Sequence, residues 1–173
     1  MNQKLTEEKS LNHYLGRYNS DDQYEFFTKN GIKYTIVLFD IPSLNEYHFG
    51  ENVFDFHLIA ENDNPPKDYK VGNTVVHLLE SVLIENEHHI ITFVCDFSDL
   101  KHTKRKNTFT RWFKNSKIKS DFQLAFIEKE IDDSGLVYIF GIIYSKNIYN
   151  DSIINDIDNT ISNVRNEILS QKN

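Results

Sequence analysis

An α+β domain on a mixed sheet, with element order β-β-β-α-β-α-β-β-α, is what this sequence predicts, and three observations carry the prediction. Two β-branched and aromatic runs flank Asn30-Gly31, the pattern of a tight hairpin. From Gly72 to about Glu87 apolar residues recur at helical spacing instead. His89 to Cys95 then contains the run Ile-Ile-Thr-Phe-Val-Cys, which predicts a strand buried on both faces in the sheet interior. At 173 residues the chain fits one domain over 1–173, with an N-terminal segment over 1–20, a core over 21–145 and a C-terminal helix over 151–171. Apolar residues at 39% and aromatics at 13% are too abundant for a disordered chain.

Near the N-terminus Leu11, Tyr14 and Leu15 fall at i, i+3 and i+4, which predicts a short helix capped by Thr6 with Glu7 and Glu8 in its first turn. Gln23 to Thr28 and Ile32 to Phe39 form the hairpin around Lys29-Asn30-Gly31, whose Asn and Gly both tolerate positive φ. Val53 to Ile59 alternates as Val-Phe-Asp-Phe-His-Leu-Ile, a third strand that completes a meander and ends at the polar run from Glu61. Val75, Val76, Leu79, Val82 and Leu83 mark the apolar face of the first long helix. After the buried strand, Ser98 or Asp99 caps a second helix. Phe122 to Ile127 and Val137 to Tyr144 make a second hairpin around Asp132-Asp-Ser-Gly135, and Asp151 to Leu169 a last helix. In that helix Ile154, Ile157, Ile161, Val164 and Ile168 form a narrow seam, which either docks on the sheet or pairs with its copy in a homodimer. Docking is favoured, because both faces of the sheet need cover.

Charge is concentrated in the second helix. Eight of the 19 Lys and Arg and none of the 26 Asp and Glu lie between Leu100 and Ser120, a stretch of +8 in a chain of net −7. Such polarity attracts phosphates or an acidic partner, although the pI near 5.5 makes nucleic acid the minority partner. A membrane partner is not expected, since no apolar run approaches the ~18 residues that span a bilayer. The N-terminal residues lack the apolar run of a signal peptide, which predicts a cytoplasmic protein. Cys95 is the one cysteine and reads as a small core residue, and adjacent His88 and His89 point to opposite faces of a strand, so no metal site is expected.

The element order from Gln23 to Tyr144 resembles the GNAT superfamily of acyl-CoA N-acyltransferases. In that superfamily a glycine-containing loop at the start of the helix after the third meander strand holds the pyrophosphate of CoA. The matching stretch is Tyr69-Lys70-Val71-Gly72-Asn73-Thr74, so the resemblance implies acyl-CoA as cofactor, held by the amides of Gly72, Asn73 and Thr74. Gly72 fits the loop pattern, Tyr69 and Thr74 depart from it, and no Tyr lies in the second helix, where the superfamily often keeps the residue that protonates the leaving thiolate. A closer resemblance is to a family of small bacterial proteins of unknown function in which a strand ending Cys-Asp is followed by an Asp, an Arg and Phe-x-x-Trp-Phe. Cys95, Asp96, Asp99, Arg105, Phe109, Trp112 and Phe113 carry it.

Arg105, Phe109, Trp112 and Phe113 share one helical face. Burying aromatics against a sheet is the usual use of such a stripe, with Arg105 paired to Asp96 or Asp99 at its edge. The sharper reading places Asp96, Asp99, Arg105 and Trp112 in a ligand or partner cleft beyond the carboxyl end of the central strand. Glu51, Asp55 and Glu61 lie in or beside the third strand, where the resemblance to the acyltransferases implies a carboxylate or water as general base, and none of the three stands out. Two functions follow. The first is acyl-CoA binding with acyl transfer to a small amine or protein amine; the second is a non-catalytic module that binds an acidic protein surface or nucleic acid through the basic helix 100–119. A splayed cleft between the strands ending at Ile59 and Cys95 is the observation that favours the first.

Overall fold

The structure is a computed structural model that describes residues 12–41, 44, 49–95, 100–130 and 137–160. Its strands are β1 (Gly16–Tyr18), β2 (Tyr24–Phe27), β3 (Lys33–Asp40), β4 (Val53–Ala60), β5 (Ile90–Cys95), β6 (Phe122–Glu130) and β7 (Val137–Ser145). The helices are α1 (Tyr69–Glu85), α2 (His102–Lys114) and α3, helical over 152–160. The strands form a seven-stranded sheet in the order β1-β2-β3-β4-β5-β7-β6. Only β4 and β5 pair in parallel among them, with α1 as the crossover; the other neighbours are antiparallel. This is the α+β fold with a mixed sheet that the sequence predicts, with one strand more.

The added strand replaces the helix expected around Tyr14. Residues 12–15 are not helical and lead into β1, while Leu11 and the expected cap Thr6 lie outside the described residues. Long-range bonds outcompete a local helix there. The Tyr14 amide donates to Thr74 Oγ1 at 2.8 Å, and its hydroxyl donates to Asp68 Oδ2 at 2.6 Å while accepting from the Lys29 amide. The β2–β3 hairpin forms as expected, but of its two turn residues only Gly31 takes a positive φ, +76°. Its amide bonds to the Thr28 carbonyl, so the loop is a three-residue turn closed by a left-handed glycine rather than a two-residue one.

Alternation along the strands builds two cores, one on each face. Phe26, Ile36, Phe56, Ile91, Phe93 and Ile143 meet Val75, Leu79 and Leu83 of α1 on the first. Val53, Ile90, Ile142 and Tyr144 meet Leu44, Phe49, Ile153 and Ile157 on the second. In α3 the buried line is Ile153, Ile157 and Thr160, with Ile154 at its side, so the expected seam is rotated by about one residue. Tyr144 secures this helix by donating to Asp151 at 2.7 Å, and burial raises the phenol's pKa further. Ile161, Val164 and Ile168 lie outside the described residues.

Candidate ligand cleft

The parallel ladder between β4 and β5 is short. It runs from Val53 opposite Ile90 to Asp55 opposite Thr92 and stops, while β4 continues to Ala60 and β5 to Cys95. Each strand stays paired to its outer neighbour over the rest of its length, Ala60 with Tyr34 of β3 and Cys95 with Ile139 of β7. The inner edges therefore part like a fork. A cavity of about 790 Å³ opens between the prongs, lined by Phe56, His57 and Leu58 of β4, Phe93 and Val94 of β5, the loop Asp63-Asn64-Pro65, and Lys101, Lys104, Arg105, Thr108, Phe109 and Trp112 of α2 and its N-cap. That volume is in the range of small-molecule sites.

The floor is aromatic. Phe109 stacks on Phe93 with ring centroids 4.1 Å apart and meets Phe56 and Trp112 edge-on at 6.0 and 5.3 Å. The Trp112 indole packs against α1 where Gly72 leaves room: a Cβ at that glycine would sit 2.3 Å from Trp112 Nε1. Thus the glycine predicted to cradle a phosphate lets the two helices close on each other.

The rim is cationic, and its charge coincides with a helix start. Lys101 is the N-cap of α2, among the described residues no side chain makes a capping bond there, and the first turn holds no acid. Ser98 and Asp99, expected to cap it, lie outside the described residues, as does Asp96. The helix dipole thus adds partial positive charge beside Lys101, Lys104 and Arg105. Burial pushes the Cys95 thiol up to about 11 despite the opposing field of Arg105 and Lys106, so it stays a protonated core residue at neutral pH.

The other expected anion site is differently built. α1 begins at Tyr69, three residues ahead of Gly72, because the Asp68 carboxylate accepts from the Lys70 amide and caps it. Asn73 donates from Nδ2 to the Asn12 carbonyl at 2.7 Å, and the buried Thr74 hydroxyl donates to the Lys70 carbonyl while accepting from Tyr14. Of the residues singled out in the sequence, Arg105 and Trp112 come together on the cleft, and Gly72, Asn73 and Thr74 serve packing and the N-terminal segment.

Sequence reasoning passed over His57 and gave Asp55 no special standing. The two lie two residues apart on one face of β4, and His57 Nε2 is 2.8 Å from Asp55 Oδ2. Thr92 Oγ1 donates to Asp55 Oδ1 at 3.1 Å. The signal was the Asp-x-His spacing in a strand, which puts both side chains on the same side.

Residues 67–159, more than half of the chain, match a family of unknown function, DUF6169. The chain belongs to that family. The DUF6169 match runs from just ahead of α1 into α3, so the α2 wall of the cleft lies within it and the β4 wall outside it. No curated protein and no solved structure matches the chain. Among the described residues no cluster of three or more His, Cys, Asp or Glu could hold a metal ion, and no helix is long and apolar enough to cross a membrane.

Proposed function

We propose that this protein binds an acyl-CoA in the fork between β4 and β5 and transfers the acyl group to an amine. The parted strands carry the reading: a sheet gives up ladder hydrogen bonds on two inner edges, and the space so made is 790 Å³ with an aromatic floor and a cationic rim. The thioester's amide-rich arm suits the unpaired strand edges, and its phosphates suit Lys101, Lys104 and Arg105 at the start of α2. In this reading the anion lies at α2 rather than at Gly72, Asn73 and Thr74, since Asp68 already occupies the start of α1. The GNAT-like element order supports the same ligand class, and a cytoplasmic location follows from it. Calorimetry with acetyl-CoA is the test. Ligand at a hundred times its dissociation constant stabilises the fold by about 2.7 kcal/mol. Absence of both heat and thermal shift at millimolar acetyl-CoA overturns the reading.

A second reading has an observation of its own. Lys101, Lys104, Arg111, Lys114, Lys117 and Lys119 are all exposed, which suits an extended polyanion, nucleic acid or an acidic protein surface, laid along residues 100–119. Binding to heparin or single-stranded DNA that weakens steeply with salt, and flattens when Lys101, Lys104 and Lys106 are reversed to Glu, would replace the first reading with this one.

A further inference from the structure

The sheet ends in two unlike edges. β1 has three residues, one of them Gly16, and so short an edge offers little to another chain. β6 has nine, and its pairing with β7 runs from Phe122 opposite Ser145 to Glu130 opposite Val137 without a bulge. It contains no proline, and among the described residues no strand pairs with its outer side. A regular edge of that length presents a row of main-chain donors and acceptors to a further strand. Its two faces are already covered by helices: Lys106 of α2 pairs with Glu128 on one, and Asp158 of α3 with Lys129 on the other. Leu124, Ala125, Phe126 and Ile127 nevertheless stay partly exposed, and exposure that survives cover on both faces lies along the outer edge.

We propose that β6 pairs with β6 of a second copy of this chain, antiparallel about a twofold axis at Ala125, so that the two sheets join into one. The inference is independent of what the cleft holds. Directly opposed residues of antiparallel strands share a face, which limits the registers open to a twofold pair. With the axis at Ala125, Leu124 of each copy lies opposite Phe126 of the other, and Asp121 opposite Lys129, so one apolar pair and one ion pair each form twice. The Lys129 ammonium has three donors and serves Asp158 and the other copy's carboxylate together. Ala125 is the smallest side chain of the strand, and it stands where each copy meets its own image. Neighbouring registers lose this match: an axis at Phe126 sets Leu124 against Glu128, and an axis at Leu124 sets Lys119 against Lys129.

Three measurements on the full chain test this. Light scattering is expected to give twice the 20.4 kDa of one chain; a monomer at every concentration up to millimolar overturns the proposal. Ala125→Cys is expected to form a disulfide-linked dimer on oxidation, because Cα atoms opposed across antiparallel strands lie about 4.5–5.5 Å apart, within disulfide reach. Cys95 is fully buried and does not compete. Gln123→Cys, displaced from the axis on the same face, is the control and is expected not to cross-link. A dimer that fails to cross-link at 125, or cross-links equally at 123, overturns β6 as the interface. Asp121→Lys, on exposed surface, is expected to weaken association by about tenfold while the monomer keeps its fold by circular dichroism. Association unchanged by that reversal overturns the pairing of Asp121 with Lys129 and the register built on it.

Discussion

The helices α1 and α2 cover the same face of the sheet but are built differently. α1 buries Val71, Gly72, Val75, Leu78, Leu79 and Leu83 among others and is capped by Asp68. α2 has no fully buried residue and, among the described residues, no side-chain cap. Its aromatics, Phe109, Trp112 and Phe113, are only half-buried against the core. A helix whose ends and face are all satisfied is committed to stability. One that leaves part of its aromatic face at a cavity is less committed to the core, and in the proposed reading that lower burial is what keeps the site accessible.

That contrast can be broken or sharpened by substitution, and the largest effect belongs to α1. Leu83 is completely buried, so Leu83→Ala is expected to lower unfolding free energy by about 2–5 kcal/mol, measured by urea denaturation. A cost under 1 kcal/mol would place α1 on the same loose footing as α2. Gly72→Ala comes next, because its methyl would drive the Trp112 ring from its seat. A loss of about 1–3 kcal/mol is expected, with a shift in the emission of the chain's single tryptophan. Unchanged emission would show that the two helices are not held together at this point. Asp68→Ala removes the cap of α1 and one partner of Tyr14, for about 1 kcal/mol on the same urea measurement.

The smallest expected effects on stability lie at the cleft and the N-terminal segment. Lys104→Glu, on exposed helix surface, is expected to stay within about 0.5 kcal/mol of wild-type stability while weakening acetyl-CoA binding. Equal loss of both would make α2 a structural element like α1. His13 stacks on His77 of α1 at 4.3 Å, and burial first, then the fields of His77, Lys70 and Lys117, hold its pKa below the ordinary 6.5. The folded chain therefore binds fewer protons there than the unfolded one. The stability this gives is present above pH 6.5 and is lost as pH falls through the lower folded value. His13→Gln is expected to flatten that acid-side decline in melting temperature.

Period and turn chemistry made most elements legible before any coordinates. Asn30-Gly31 marked a turn because glycine alone takes φ +76° without strain, and the run Ile90 to Cys95 marked an interior strand because both its faces are apolar. The N-terminal strand was hidden because Tyr14 is settled by bonds to Thr74 and Asp68, 60 and 54 residues away. The start of α1 was placed three residues late for a local reason: Gly72 drew attention as a phosphate-loop residue, whereas Asp68 ahead of Tyr69 is the ordinary N-cap signal.

By itself the sequence determined the α+β class, the order of nearly every element, the basic stretch from Lys101 to Lys119 and the aromatic stripe on α2, since all of these rest on spacing and composition along the chain. Only the tertiary structure decided that β4 and β5 stop pairing after Asp55 and Thr92, that Gly72 seats Trp112, and that His57, Asp55 and Thr92 form one hydrogen-bonded group at the fork. Those facts depend on contacts between segments about 40 residues apart, Asp55 with Thr92 and Gly72 with Trp112. Local propensity does not encode where two strands part, because that point is set by what packs between them.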